Sequence, residues 1–578
     1  MEPVGSWHPA PGADRLAGVP FPAESSNGTV VRDPGKATPT GAERYRVMRP
    51  VLLVAGVVAL CAMVFGPALA GEYVWDDIWQ VAENPSLVRA DGIGTILRTD
   101  SCESAGQRGC VLYHPLALST IWLQARVTGL SLVAFRLGNL VIHLLCALLL
   151  VGLLRRLRMG EGLVVAGVLI FVFHPSVTEP VMWVVGRQDS LAAVFSLGAV
   201  LAWPDGNARR PLLRAGAAGL LLLLGLFCKE TAIVVLALLL ARVLIDRVPW
   251  RRALPWLLAP LLGVVVTGLV RRGLAIPSTA GGMTIGGSTL VIYATIVWHY
   301  FTQLALLDNA PTFVGYRPLT LPAACAVYFV LAAVVAVQIR ALRRDRAWAR
   351  TTLFGTTWFL VALAPHAVSL STFAVFANRY AYFPLVGLLV VAAALGERLR
   401  VRCGRRWRGL GTAVGILLVG AACVRTSEEA RCWRDEVTLY GHRLDARDGH
   451  ALLPYAKAIL RKQGCSAAVP QLGRVVNVAP DLAEGWHNLA GCFLNLGRYD
   501  WAIVAASRDV ALAPERSAAH YNLGAALAFA GQRVRGVAEL EQALKLEPGN
   551  PLARDLLARL SNRQPADRAA ATAPSPSR

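Results

Sequence analysis

Charge is what this chain has least of. Only 16% of its 578 residues are Asp, Glu, Lys or Arg, against about 25% in a soluble globular domain. Lysine is rare even within that small share. Nucleotide-binding patterns are missing too: there is no Walker sequence and no Gly-rich phosphate loop, which argues against nucleotide as a direct energy source. The eleven cysteines form no CxxC pair and show no zinc-ligand spacing. Several lie in apolar stretches, where Cys acts as a small apolar residue. Cys102 and Cys110 share one loop and could form a disulfide if that loop is extracytoplasmic. No cleavable signal peptide is evident, so the first apolar stretch reads as an uncleaved signal anchor.

What remains is apolar. Hydrophobic residues make up 55% of the chain and gather in blocks such as Leu220 to Phe227 and Thr231 to Leu240, the composition of a polytopic membrane protein. The net charge of +21 does not point to nucleic acid. The arginines recur as short clusters between apolar blocks, at 155–158, 209–210, 247–252, 340–350 and 398–408, which is the positive-inside pattern. Spans are expected near 49–70, 133–154, 162–174, 188–203, 212–227, 232–245, 253–270, 320–340, 351–365, 383–397 and 409–424. The stretch 288–307 is expected to lie at the interface or to re-enter, because a crossing there would put Arg340 to Arg350 outside. About eleven crossings follow, with the N-terminus inside and the C-terminus outside.

The C-terminal part repeats. Pro480, Pro514 and Pro548 recur in register with Trp486, Leu489, Ala490, Gly497 and Ala502, then with Leu523, Gly524, Gly531 and Ala543. This is the tetratricopeptide period of 34 residues. Each unit is a helix pair, and stacked pairs form a concave surface that holds extended peptides. A plain docking arm or spacer fits the pattern equally well. Asp509 stands where the repeat prefers Ala. The fold class is therefore all-α: a polytopic membrane helix bundle followed by a tetratricopeptide α-solenoid. The expected divisions are a disordered cytoplasmic tail (1–48), a membrane domain (49–424), a connector (425–446), about three repeats (447–562) and a disordered tail (563–578).

Ionisable residues interrupt the apolar blocks at five places. Asp76-Asp77 follow the first span, flanked by Trp75 and Trp79 at headgroup level. Adjacent carboxylates raise the proton affinity of one of them, which suits a general base; the bland alternative is a solvated loop or helix cap. The insertion Phe173 to Asp189 carries His174, Glu179, Arg187 and Asp189, functional suspects at membrane depth unless Arg187 simply pairs with Glu179 or Asp189. Lys229-Glu230 either neutralise each other or offer Lys229 to a phosphate. Arg379 is a phosphate ligand or an interfacial anchor, and His114, in the turn Tyr113-His114-Pro115, is a weaker candidate.

Four ordered stretches resemble a known family. They are Tyr73-Val74-Trp75-Asp76-Asp77 with Glu83-Asn84-Pro85; His174-Pro175 with Thr178-Glu179 and Val184-Val185-Gly186-Arg187; Cys228-Lys229-Glu230-Thr231; and Asn378-Arg379-Tyr380 with Tyr382 and Pro384. Trp433 and the repeats follow in family order. Together they are similar to the transmembrane and tetratricopeptide-repeat O-mannosyltransferases of the membrane-embedded C-type glycosyltransferase superfamily. Asn378 departs from the acid usual before the Arg-Tyr pair, and the repeats are few.

The resemblance implies transfer of a sugar, mannose by analogy, from a polyprenyl or dolichyl phosphate to Ser or Thr hydroxyls at the outer face. Asp76 would be the base, with Asp77 substituting or orienting. Arg379, Lys229 and Arg187 would meet the donor phosphate, supported by Glu179, His174, Glu230 and His114. Trp486, Asn488, Tyr521 and Asn522 are the acceptor-contact candidates on the repeats. No cofactor is required, although the acid pair leaves a divalent metal open; the partners are the lipid-linked donor and a peptide, not nucleic acid. The membrane would be a bacterial plasma membrane, or the ER in a eukaryote. Rival readings keep the chemistry but use a lipid or envelope-glycan acceptor, or make the chain a non-catalytic scaffold.

Overall fold

The computed structural model describes residues 41–562, apart from 107–111, 207, 277–286, 309–313, 316, 345–346, 374 and 443. The expected tail 563–578, most of the tail 1–48 and Cys110 lie outside the described residues. Cys102 is disulfide-bonded. The described residues from Leu60 onward form one compact unit.

Helix α1 (Gly41–Leu69) leads into a loop containing a short π-helical turn (Ile78–Ala82) and the small helices α2 (Pro85–Val88), α3 (Gly92–Arg98) and α4 (Ser101–Ser104). The sequence explains these local starts. Asn84 accepts the Ser86 N–H ahead of Pro85, and Asp100 accepts the backbone N–H groups of Cys102 and Glu103 at the start of α4. The bundle then runs through α5 (Pro115–Thr128), α6 (Leu132–Arg156), α7 (Glu161–Val172), α8 (Thr178–Met182), α9 (Arg187–Ala202), α10 (Pro211–Cys228), α11 (Val234–Ile245), α12 (Trp250–Gly273), α13 (Gly287–Ala305), α14 (Leu321–Arg343), α15 (Ala347–Phe373) and α16 (Arg379–Cys432). Two residues on each side, Val314–Gly315 and Val375–Phe376, pair antiparallel.

Among the described residues, seven helices are long and apolar enough to cross a membrane: α6, α10, α12, α14, the Ala347–Val368 part of α15, and both halves of α16, which breaks at Gly404. The bent pair Glu161–Val172 and Pro175–Met182, at 52°, makes an eighth if it is one span. The expected count of about eleven is not reached by this criterion. The shortfall is one of length: α9 has 16 residues and α11 only 12, whereas a straight crossing takes ~20. The exposed large apolar side chains concentrate on these helices, for example Leu258, Leu269, Phe329, Val330 and Leu417, as a lipid-facing surface requires.

After α17 (Glu436–Gly441) comes the solenoid: α18 (Gly449–Gln463), α19 (Cys465–Val478), α20 (Ala483–Asn495), α21 (Tyr499–Leu512), α22 (Ser517–Phe529), α23 (Arg533–Leu546) and α24 (Pro551–Asn562). Helices start at 449, 483, 517 and 551, with partners at 465, 499 and 533, so every unit keeps the 34-residue period. Small residues permit the close packing. A Cβ on Gly524 would stand 2.9 Å from the Gly536 carbonyl oxygen, and one on Gly536 would stand 2.8 Å from that of Gly524. The misfit Asp509 is fully buried but doubly paired, with His487 at 2.8 Å and Arg516 at 3.0 Å, which removes the penalty of an unpaired buried charge.

Candidate functional site

The loop after α1 is held by contacts from three directions. Gly71 lies against Arg434, so close that a Cβ would come within 2.4 Å of its carbonyl oxygen, and the Glu72 N–H donates to that same oxygen at 2.8 Å. The fully buried Arg136 of α6 donates to the carbonyls of Ala68 (2.8 Å), Met182 (2.8 Å) and Trp433 (2.6 Å). One guanidinium thus ties the end of α1, the end of α8 and the end of α16 together.

The two acids that this loop carries sit in different surroundings. Asp77 is fully buried, and its two oxygens accept the backbone N–H groups of Val184 and Val185, each at 3.0 Å. It organises the turn between α8 and α9. Burial pushes its pKa up to about 7, against the opposing pull of those two amides and of Arg136. Asp76 is half-buried and accepts the Trp79 indole N–H at 3.1 Å. Burial raises its pKa, and the Trp79 hydrogen bond and the charge of Arg379 offset this in part. Among the described residues the acid pair is not part of any group of three potential metal ligands.

Trp75, immediately before Asp76, has left-handed backbone (φ 55°), a conformation that costs a non-glycine residue about 1–2 kcal/mol. Three contacts hold it there. Its N–H donates to Glu436 Oε1 at 3.3 Å, its ring stacks on Trp183 at 4.8 Å, and the Arg379 guanidinium lies 5.1 Å from its ring centre. Arg379 also lies over Trp183 (5.3 Å) and Tyr380 (4.9 Å) while pairing with the buried Glu179. Glu179 further accepts the Arg379 backbone N–H at 3.1 Å. The cation sits in an aromatic cage with one carboxylate partner.

The remaining polar residues pair across elements. Lys229 bonds Asp189 at 2.6 Å and lies 5.5 Å from the Tyr380 ring centre. Glu230 pairs with His114 at 2.8 Å. The Lys229-Glu230 dipeptide therefore does not neutralise itself; each member reaches a different helix. Arg187 pairs with neither Glu179 nor Asp189. It bonds Asn139 (2.7 Å), Gln124 (2.6 Å) and the Phe135 carbonyl (3.1 Å), all neutral groups. His174 is buried between Ser176 Oγ at 2.6 Å and the Leu304 carbonyl at 3.1 Å.

Beside the caged arginine is a small open cleft, whose polar lining includes Asp189, Thr231, His366, Arg379, Tyr380 and Tyr382. Two buried atoms at its wall have no hydrogen-bond partner, Asp189 Oδ2 and His366 Nδ1. Arg379 belongs to both the cage and the cleft; Asp76, Asp77, Lys229 and Glu230 do not line the cleft.

No family model matches the chain. Human protein O-mannosyl-transferase TMTC1 is 31% identical over 155 residues, 26% of this chain and 17% of that protein. Human TMTC3 is 26% identical over 158 residues, 27% of this chain and 17% of that protein. The Caenorhabditis elegans protein O-mannosyl-transferase F38B6.6 is 25% identical over 176 residues, 29% of this chain and 25% of that protein. The relatives are protein O-mannosyltransferases. The chain spans about a fifth of the length of these curated relatives. Among solved structures, the first tetratricopeptide domain of Spaghetti (RPAP3) is 20% identical over 22% of this chain and 98% of that one, with a TM-score of 0.20.

The acceptor-contact candidates lie on the repeats in structural settings of their own. The Trp486 indole donates to the Pro480 carbonyl at 2.9 Å, and the Asn488 amide donates to the Glu484 carbonyl at 2.7 Å. Tyr521 packs on the cluster of Leu540, Ala543 and Ala553, and Asn522 is buried 3.3 Å from His487. Sequence reasoning did not single out Arg136, Trp183, Tyr380 or His366 as part of the site. Trp183 and Tyr380 carried one signal, adjacency to residues already marked; nothing in the sequence marks Arg136.

Proposed function

We propose that the chain is an integral membrane glycosyltransferase. It moves a sugar, mannose in this reading, from a polyprenyl phosphate to Ser or Thr hydroxyls of proteins at the outer membrane face. The observation that carries this reading is a half-buried carboxylate, Asp76, within the electrostatic reach of a caged cation, Arg379, which is also in the wall of a cleft. Asp76 is the general base: it takes the acceptor hydroxyl proton as that oxygen attacks the anomeric carbon. The bond from that carbon to the lipid phosphate breaks, the phosphate leaves with the electron pair, and a single displacement inverts the anomeric centre.

Arg379 and Lys229 stabilise the departing phosphate. Glu179 and Asp189 hold these cations in position before the donor arrives, which limits reorganisation during the reaction. Asp77 positions the loop rather than taking the proton, since both its oxygens already accept amides. The apolar helices supply the groove for the isoprenoid, and the repeats present the acceptor peptide. The test is transfer from synthetic polyprenyl-phosphate-mannose to a Ser/Thr peptide library by the purified full-length protein. Hexose on Ser or Thr, with inverted anomeric configuration, is the expected product; retention, or no peptide product alongside a labelled lipid or glycan, overturns the proposal.

A further inference from the structure

The joint between the last apolar helix and the repeat arm carries three metal-ligating side chains that the proposed transfer does not use. Glu429 and Cys432 are three residues apart near the end of α16, so they share one helix face. His442 follows the short helix α17. Its Nε2 stands 3.1 Å from Glu429 Oε1, and one ligand atom from each of the three side chains lies within 4.8 Å of the others. Two ligands about 2.0–2.3 Å from a tetrahedral ion are separated by roughly 3.3–3.8 Å, so the triad needs only small movements to close on an ion.

The backbone around the triad is preorganised. Asp435 and Thr438 form a capping box that fixes the start of α17, and the Thr438 hydroxyl donates to the Cys432 carbonyl at 3.0 Å. These contacts return the chain so that His442 faces the end of α16. The Glu429 carboxylate is 8% exposed and His442 29%, so the ligands are sheltered but reachable.

We propose that Glu429, Cys432 and His442 bind a zinc ion that clips the repeat arm to the end of α16. The donor set chooses the metal. A thiolate and an imidazole favour zinc over magnesium or calcium, which take oxygen ligands. Three protein ligands leave a fourth position for water. On binding, the Cys432 thiol and the His442 imidazolium, held protonated by its hydrogen bonds to Cys432 and Glu429, each release a proton to solvent, so affinity falls as pH drops. The inference does not depend on the transfer reaction.

The test uses the full-length protein in detergent, loaded with zinc or cobalt and desalted into metal-free buffer. The natural chain is expected to retain about one zinc per chain, and cobalt is expected to give a thiolate-to-metal charge-transfer band. Cys432→Ser should abolish the band, His442→Ala should remove most retained zinc, and Cys403→Ser, away from the joint, should keep both. Failure of the natural chain to retain zinc overturns the proposal, as does retention in Cys432→Ser and His442→Ala equal to that of the natural chain. Should His442→Ala not fold, thermal unfolding decides: zinc should raise the Tm of the natural chain and not that of Cys432→Ser, and equal shifts overturn the proposal.

Discussion

Two neighbouring carboxylates with opposite settings give the most direct predictions. Asp76→Asn keeps the size and the Trp79 contact but removes the proposed base, so transfer should fall about 10²–10⁴-fold at unchanged expression; full activity in a peptide-transfer assay would remove Asp76 from the mechanism. Asp77 makes a different prediction, about pH. Burial raises its folded pKa to about 7, above the ordinary value near 3.9. The neutral acid is therefore the form the fold favours. The stabilisation is fully present below about pH 4 and is lost as pH rises through about 7. Thermal unfolding of the natural protein minus that of Asp77→Asn, followed from pH 4 to 8, should decline; a flat difference contradicts the assignment. The sequence marked both acids but not which one faces inward, because that depends on the Val184 and Val185 amides, more than a hundred residues away.

Elements add what single residues cannot. Arg379 is held by a carboxylate and three aromatic rings contributed by the post-α1 loop, the α8–α9 turn and its own neighbour Tyr380. Arg379→Lys keeps the charge but loses the planar face that stacks, so transfer should drop more than about tenfold; a variant as active as the parent would reduce the cage to an anchor. In the solenoid, Gly524→Ala must push against the Gly536 backbone and should cost about 1–3 kcal/mol, read as a lowered unfolding temperature. The repeats were legible because period and small-residue positions are both written locally. The pairings Lys229–Asp189 and Glu230–His114 were not, because adjacent residues in a turn end up facing different helices. Span number was legible only approximately, since α9 and α11 are apolar yet short.

For the whole molecule, arginine placement and the site make one joint statement about sidedness. With Arg247 to Arg252 inside, the Asp76 loop and the repeats are expected to face outward. Single cysteines at Glu72 and Asp500 should react with an impermeant maleimide in intact cells, and one at Arg251 only after permeabilisation. Labelling of the first two on opposite sides would dismantle the proposed reaction. Composition alone made the membrane class legible, but not the contact of the arm with the loop, which depends on residues far apart in sequence.

Arg461 and Lys462 of the first repeat helix grip Glu436 and Asp435; Lys462 also reaches Glu72, and Glu436 suspends the amide of Trp75. One run of ion pairs and a hydrogen bond thus joins the first repeat helix to the residue immediately before Asp76.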